Sequence, residues 1–169
     1  MQPLYDLEAV KPMEDELNNV GVKPLKSPEE VEEFLNQPGT AMIVINSVCG
    51  CAAGSARPGV TRALQNNVIP DHLATVFAGM DRLAVEKARS FMSDVMPSSP
   101  CVAIFKDGEP VYVMERRHIE TKNDMQVSQE LIKAFNELCT AHGPSIPAEE
   151  YEKLVSVRQC GSSIPLYGE

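Results

Sequence analysis

The chain has 169 residues, 43% of them hydrophobic, and its 24 acidic against 15 basic side chains give a formal charge of −9. That length suits one domain with a sizeable core plus a terminal extension. An acidic surface repels phosphate backbones and anionic lipid, which argues against nucleic-acid and membrane partners, and no apolar run approaches the ~20 residues that cross a bilayer. The first twenty residues carry Asp6, Glu8, Lys11, Glu14, Asp15 and Glu16. This is unlike the basic-then-apolar layout of a secretory leader, so the expected compartment is the cytoplasm. The densest basic spot, Arg116, Arg117 and His118, is flanked by Glu115 and Glu120 and reads as a solvated loop.

In chain order, Pro12 is expected to open a first helix that carries Met13 and Leu17 inward and stops at Gly21. Ser27, Pro28 and Glu30 form a capping-box signature, and Val31, Phe34 and Leu35 then share one face until Pro38-Gly39. Residues 41–45 are a short continuous run of branched and apolar side chains, the pattern of a strand buried on both faces. Asn46-Ser47-Val48 leads directly into Cys49-Gly50-Cys51, and 52–64 reads as helix with a kink at Pro58. A second apolar strand is expected over 73–80, followed by a helix capped by Asp81 with Leu83, Ala84, Ala88 and Phe91 on one face. Residues 101–105 and 111–114 flank Lys106-Asp107-Gly108-Glu109, a hairpin signal because Gly accepts the positive φ of a tight turn. A last helix over 124–139 turns Leu131, Ile132, Phe135 and Leu138 inward.

This order predicts an α/β fold, a mixed central sheet flanked by helices on both sides, with an N-terminal helical segment. The expected division is a domain over 1–142 and a C-terminal extension over 143–169, whose one amphipathic piece at 148–154 belongs either to a clasp or to a loose tail.

Five cysteines, an odd number, in a reducing compartment argue against a structural disulfide framework. Cys49 and Cys51 stand where a buried strand gives way to a helix. Unpaired amides and the helix dipole there favour thiolate over thiol, and thiolate is the attacking species in disulfide exchange. Arg57 and Arg62, further along the helix, are expected to add positive potential, and Gly50 to let the backbone bend so that the sulfurs approach. A one-residue spacer strains a closed Cys–Cys ring and raises its potential. Such a site suits oxidation, isomerisation or removal of a small thiol from a mixed disulfide. Two readings stand against this one: an inert core pair, and a metal carrier in which the pair supplies two soft ligands. No second CxC or CxxC exists, and His72, His118 and His142 show no ligand spacing, so no metal is expected. Cys101 and Cys139 read as packed residues. Cys160, in the tail, reads as accessible, either a resolving thiol or a plain free cysteine.

The stretch from Asn46-Ser47-Val48-Cys49-Gly50-Cys51 through Ala52-Ala53-Gly54 and Ala56-Arg57-Pro58 resembles the bacilliredoxins, small bacterial thioredoxin-like proteins with a CGC active site. The likeness continues at Pro97-Ser98-Ser99-Pro100 and Arg117-His118-Ile119-Glu120, and spans about 5–140. The resemblance implies a thioredoxin fold and attack on protein–bacillithiol mixed disulfides. Cys49 would accept bacillithiol and Cys51 would resolve the adduct; disulfide isomerisation is the alternative activity. It implies S-bacillithiolated or disulfide-containing proteins and a low-molecular-weight thiol as partners, with bacillithiol the exchanging thiol and no bound cofactor. It also implies that Pro100 is a cis-proline beside the active site, with Ser99 presenting backbone groups to substrate. Cys101 departs from the family pattern, where a small non-cysteine residue is expected, so side disulfides with the CGC pair are conceivable.

Overall fold

A computed structural model describes residues 1–154 and 164–168. Asp6 opens the first helix, α1 (Leu7–Asn18), its carboxylate accepting the Ala9 N–H at 2.9 Å and filling one of the donors a helix start leaves unpaired. Pro12 therefore lies inside α1 rather than at its start. A two-residue edge strand, β1 (Lys23–Pro24), precedes α2 (Pro28–Leu35), where Ser27 and Glu30 exchange the reciprocal bonds of a capping box. Next comes β2 (Thr40–Asn46), buried along its whole length.

After the CGC segment, a π-helical turn (Ala52–Ala56) runs into α3 (Arg57–Ala63). The kink anticipated at Pro58 takes this form. Pro58 offers no N–H, and the Arg57 N–H reaches back five residues to the Ala52 carbonyl, widening the turn before α3 begins. The chain continues through β3 (Val68–Ile69), β4 (His72–Phe77), α4 (Arg82–Ser90), β5 (Cys101–Lys106), β6 (Glu109–Met114), α5 (Arg116–Ile119), α6 (Asp124–Leu138), β7 (Ala141–His142) and α7 (Ala148–Tyr151).

Five strands form one sheet in the order β1-β4-β2-β5-β6. β1 and β2 run parallel to β4, while β5 runs antiparallel to both β2 and β6. Successive side chains of a strand face opposite ways, and β2 uses both faces. Met42 and Val44 pack with Val60, Leu64, Val127, Leu131 and Phe135 of α3 and α6. Ile43 and Ile45 pack with Val31, Leu35, Ala84 and Ala88 of α2 and α4. The result is a mixed sheet between two helical layers, the α/β architecture expected from the order of elements. Asp107 (φ 50°) and Gly108 (φ 84°) make the two-residue turn between β5 and β6, the backbone a tight hairpin demands.

Three expectations need correcting. In α4, Leu83 faces solvent at 45% exposure while Val85 joins Ala84 and Ala88 in the core. Asp81 does precede this helix, but its carboxylate accepts from the Phe77 N–H and Lys26 Nζ instead of from the helix's own first turn. In α6, Val127, Ser128, Leu131, Ala134 and Phe135 are the buried row, with Ile132 and Leu138 at its margin.

β7 pairs with β3 as a separate two-stranded ribbon, and α7 has no fully buried side chain, though its Tyr151 packs against the core. Ile164 returns to the body of the protein, buried with Val10, Met13, Val48 and Phe77. Pro165 O accepts the Asp6 N–H, and Tyr167 N–H donates to Leu4 O. Among the described residues, no helix is long and apolar enough to cross a membrane.

α3 and α6 approach closely at Gly59, where an added Cβ would stand 2.5 Å from Val127 Cγ1 and 3.2 Å from Asp124 O. Gly59→Ala is therefore expected to destabilise the fold by about 1–3 kcal/mol through overpacking. A urea-unfolding midpoint equal to that of the parent protein would contradict this.

Candidate active site

β2 delivers the chain to the site through a buried asparagine. Asn46 Nδ2 donates to Met13 O of α1, and its Oδ1 accepts the Ser47 N–H at 2.9 Å and Arg57 Nη1 at 3.2 Å. Arg57 is 0% exposed. Its Nε donates to Glu16 Oε2 at 2.9 Å and its Nη1 to Ser47 O at 2.8 Å. The expectation that Arg57 lends positive potential to the cysteines needs correcting. Its charge is paired with a buried carboxylate, which largely cancels its field. Arg57 instead pins α1, the end of β2 and the loop before Cys49 to one another. Arg62, named beside it, pairs with Asp124 at 2.9 Å.

Beyond that anchor, the loop turns its polar groups onto Cys49. Ser47 Oγ donates to Cys49 Sγ at 3.1 Å and accepts the Cys49 N–H at 3.3 Å. Cys49 Sγ and Cys51 Sγ are 2.9 Å apart as free thiols, so closing a disulfide of ~2.05 Å requires less than about 1 Å of movement. The Ala52 and Ala53 N–H groups donate to the Cys49 carbonyl at 3.1 and 3.2 Å. Both sulfur-bearing residues are half-buried. Gly50 has no positive φ, and nothing lies within 4 Å of where its Cβ would be. It leaves open space beside the sulfurs and makes no unusual bend.

The two thiols are driven apart in acidity. For Cys49, burial opposes ionisation, but hydrogen bonds from Cys51, Ser47 and the Ala52 amide, with the Arg116 charge, outweigh it and hold its pKa below the ordinary thiol value. For Cys51, burial, the bond to Cys49 and the charge of its thiolate push the pKa up to about 11. Cys49 therefore ionises first, and while it is a thiolate the proton stays on Cys51.

Ser47 and Arg116 were not read from the sequence as parts of this site. A hydroxyl two residues before a cysteine, in a loop leaving a strand, is the local signal that marks Ser47. Arg116, read as part of a solvated loop, starts α5 beside the segment before β5. Its N–H donates to Ser98 Oγ at 3.3 Å and its Nη1 to Ser99 O at 3.4 Å. Pairing of Ile45 with Cys101 brings that segment alongside the loop that leaves β2. The Ser99–Pro100 peptide is cis, and Ser99 already uses its carbonyl on Arg116.

The remaining cysteines lie apart from the exchange. Cys101 is 2% exposed within the α2–α4 layer, and burial with the Glu115 charge pushes its thiol up to about 12. Burial and a raised pKa disfavour the side disulfides with the CGC pair that the sequence left conceivable. Cys139 is buried at the end of α6, and burial raises its pKa as well. Cys160 lies outside the described residues. Among the described residues, no group of three or more His, Cys, Asp or Glu side chains is placed to hold a metal ion.

Ser47→Ala removes one donor from the Cys49 thiolate, so the Cys49 pKa is expected to rise. Alkylation of Cys49 then slows at neutral pH, where less thiolate remains, and recovers well above the ordinary thiol pKa, where ionisation is complete in both proteins. Superimposable rate-versus-pH curves would exclude the hydroxyl as a stabiliser.

A family model described as disulphide isomerase matches residues 5–139. A bacilliredoxin of Cytophaga hutchinsonii is 50% identical over 135 residues, covering 80% of this chain and 100% of that protein. Another from Salinibacter ruber is 44% identical over 147 residues, 85% of this chain and 86% of its own. One from Staphylococcus aureus is 42% identical over 136 residues, 80% and 94%. Among solved structures, the oxidised thioredoxin of Plasmodium falciparum aligns with a TM-score of 0.47 at 16% identity over 68% of this chain and 99% of its own. A thioredoxin of Malassezia sympodialis aligns with a TM-score of 0.45 at 12% identity, over 70% and 90%. With matches of this extent running through the CGC segment, the chain belongs to the bacilliredoxin family.

Proposed function

We propose that the protein is a thiol–disulfide oxidoreductase that removes bacillithiol, or a similar small thiol, from S-thiolated proteins in a reducing cytoplasm. The observation that carries this reading is the pair of thiols 2.9 Å apart with opposed acidities. The Cys49 thiolate attacks the small-thiol sulfur of a protein mixed disulfide. A Cys49–small-thiol disulfide forms, and the protein sulfur leaves as thiolate and takes a proton from solvent. Cys51 then gives up its proton and attacks Cys49 sulfur, closing the Cys49–Cys51 disulfide and expelling the small thiolate. The protein pair has lost two electrons, and a second small thiol or a thiol reductase must return them. The high pKa of Cys51 suits this order, because a protonated neighbour leaves Cys49 alone as nucleophile until the adduct has formed.

Incubation with a bacillithiolated protein tests the reading. Mass spectrometry should show loss of the small thiol from the substrate and its appearance on Cys49 in a Cys51→Ala variant; an unchanged substrate would contradict it. The family description favours disulfide isomerisation as a second reading. Recovery of activity by a scrambled-disulfide protein, with no transfer from the mixed disulfide, would put isomerisation first. Stoichiometric zinc or copper on Cys49 and Cys51 in protein purified without chelator would instead favour a metal carrier.

A further inference from the structure

We infer that Arg116 determines which small thiol is exchanged, by pairing with a carboxylate on the thiol group carried by Cys49, so that the preferred thiol is anionic. The inference rests on the dethiolation reading above and names its substrate class.

The two adjacent arginines of α5 are committed differently. Arg117, 73% exposed, places both Nε and Nη2 on one oxygen of Glu115 at 3.1 and 2.9 Å, which turns it toward that carboxylate. Arg116 is held by its stem. Its backbone N–H sits on Ser98 Oγ, and its Nη1 reaches Ser99 O at 3.4 Å. Nε touches Glu120 at 3.4 Å in an ion pair whose two side chains are each about half exposed. Such a pair is long, solvated and weak, and Nη2 has no acceptor among the described residues. With Nε and Nη1 each in a long bond of 3.4 Å and Nη2 open, the guanidinium is arranged to receive a second carboxylate.

Its bonds to Ser98 and Ser99, just before β5, and the pairing of Ile45 with Cys101 place it on the side of the sheet end from which the Cys49 loop leaves. The Arg116 charge favours ionisation of Cys49 and Cys51, and the two cysteines are the foremost influences on Arg116 itself. Beside it lies a concavity of about 240 Å³ lined by Met96, Pro97, Ser98, Glu115, Arg116, Arg117 and Glu120. That is below the ~300 Å³ at which drug-sized pockets begin, room for the tail of a small thiol and not for a folded partner. Met96 and Pro97 give this space an apolar side, while Arg116 gives it a cationic one.

The rest of the molecule makes this local cation matter. A net charge of −9 disfavours an anionic thiol anywhere else on the surface. Salt screens charges beyond about 8–10 Å, so the side chain nearest the sulfurs decides the sign of the potential there. Of the acidic groups at this rim, Glu115 is engaged by Arg117, and Glu120 is the weak partner that an incoming carboxylate displaces.

The test uses one carrier protein thiol loaded in turn with mercaptopropionate, mercaptoethanol and cysteamine, which add a negative, a neutral and a positive tail. Removal of each is followed as kcat/KM for the parent protein, Arg116→Gln and Arg116→Glu, with the Cys49 pKa measured separately in each. The parent protein is expected to favour the anionic over the cationic adduct by at least about fivefold, the upper end for one partly exposed charge pair. Arg116→Gln should erase the preference and Arg116→Glu should reverse it. If Arg116 acts only by ionising Cys49, all three adducts slow by one common factor and their ratios stay fixed, which overturns the inference while leaving dethiolation intact. If the parent protein removes none of the three, the neutral one included, the dethiolation reading fails and the inference with it.

Discussion

Cys49→Ala is expected to reduce small-thiol transfer by at least about 10³-fold, the scale on which loss of a nucleophile acts, while Cys51→Ala allows the first transfer and stops there. The asymmetry follows from the geometry. Only Cys49 receives the Ser47 hydroxyl at 3.1 Å, and its pKa is the lowered one, whereas Cys51 is pushed up to about 11. Removing Cys51 also removes a hydrogen bond to the Cys49 thiolate, so the Cys51→Ala protein should react with a higher pKa and more slowly at neutral pH, but with full stoichiometry. Its product is a stable Cys49 mixed disulfide, detectable as a mass increase equal to the small thiol less one hydrogen on each sulfur. A Cys49→Ala protein that still turned over, through Cys51 or Cys101, would overturn this assignment of roles.

Breaking the buried pair beneath the site should have the largest effect on stability. Arg57→Ala leaves the Glu16 carboxylate buried without its 2.9 Å partner and frees Ser47 O and Asn46 Oδ1 from the guanidinium. Removal of one member of a buried ion pair costs about 3–5 kcal/mol, a large share of the ~5–15 kcal/mol that holds a typical domain together. Urea unfolding measures this directly. The double variant Glu16→Leu with Arg57→Met removes both charges and should recover much of the loss, because no buried charge is left unpaired. Because the same guanidinium fixes Ser47, the double variant should keep the stability and still show a raised Cys49 pKa. An Arg57→Ala protein as stable as its parent would show that the pair does not anchor the loop.

What could be read from the chain divides along a physical line. Signals held within a few residues translated directly into structure: the Ser27–Glu30 capping box, the all-buried run of β2, and the Asp107-Gly108 turn. Each is set by local backbone chemistry or by strand periodicity. The CGC segment at a strand–helix junction was equally legible. Two-residue strands such as β1, β3 and β7 carry no periodicity of their own and exist only because β4, or each other, lies alongside. Pro12 attracted the helix start because proline is favoured there, yet Asp6, six residues earlier, supplied the actual cap.

The residues that tune the site were hidden for the same reason. Arg57 reads as a helical cation near the cysteines until α1 is seen to place Glu16 against it. Arg116 sits sixty-five residues after Cys51 in a run of mixed charge, and only the β2–β5 register and the turn into α5 bring it to the sulfurs. Local sequence picks out the candidate nucleophile; the groups that lower its pKa are assembled from the end of β2, the loop after it and α5.

The most direct test is the pH dependence of alkylation of the reduced protein, with each modified cysteine identified by mass spectrometry. The expected result is that Cys49 reacts first, with a midpoint below the ordinary cysteine value of about 8.5, and that Cys51 stays unlabelled until Cys49 has reacted, because the Cys49 thiolate holds its proton on. Labelling of Cys51 first, or a Cys49 midpoint at or above the ordinary value, would contradict an ionised Cys49 held by its neighbours.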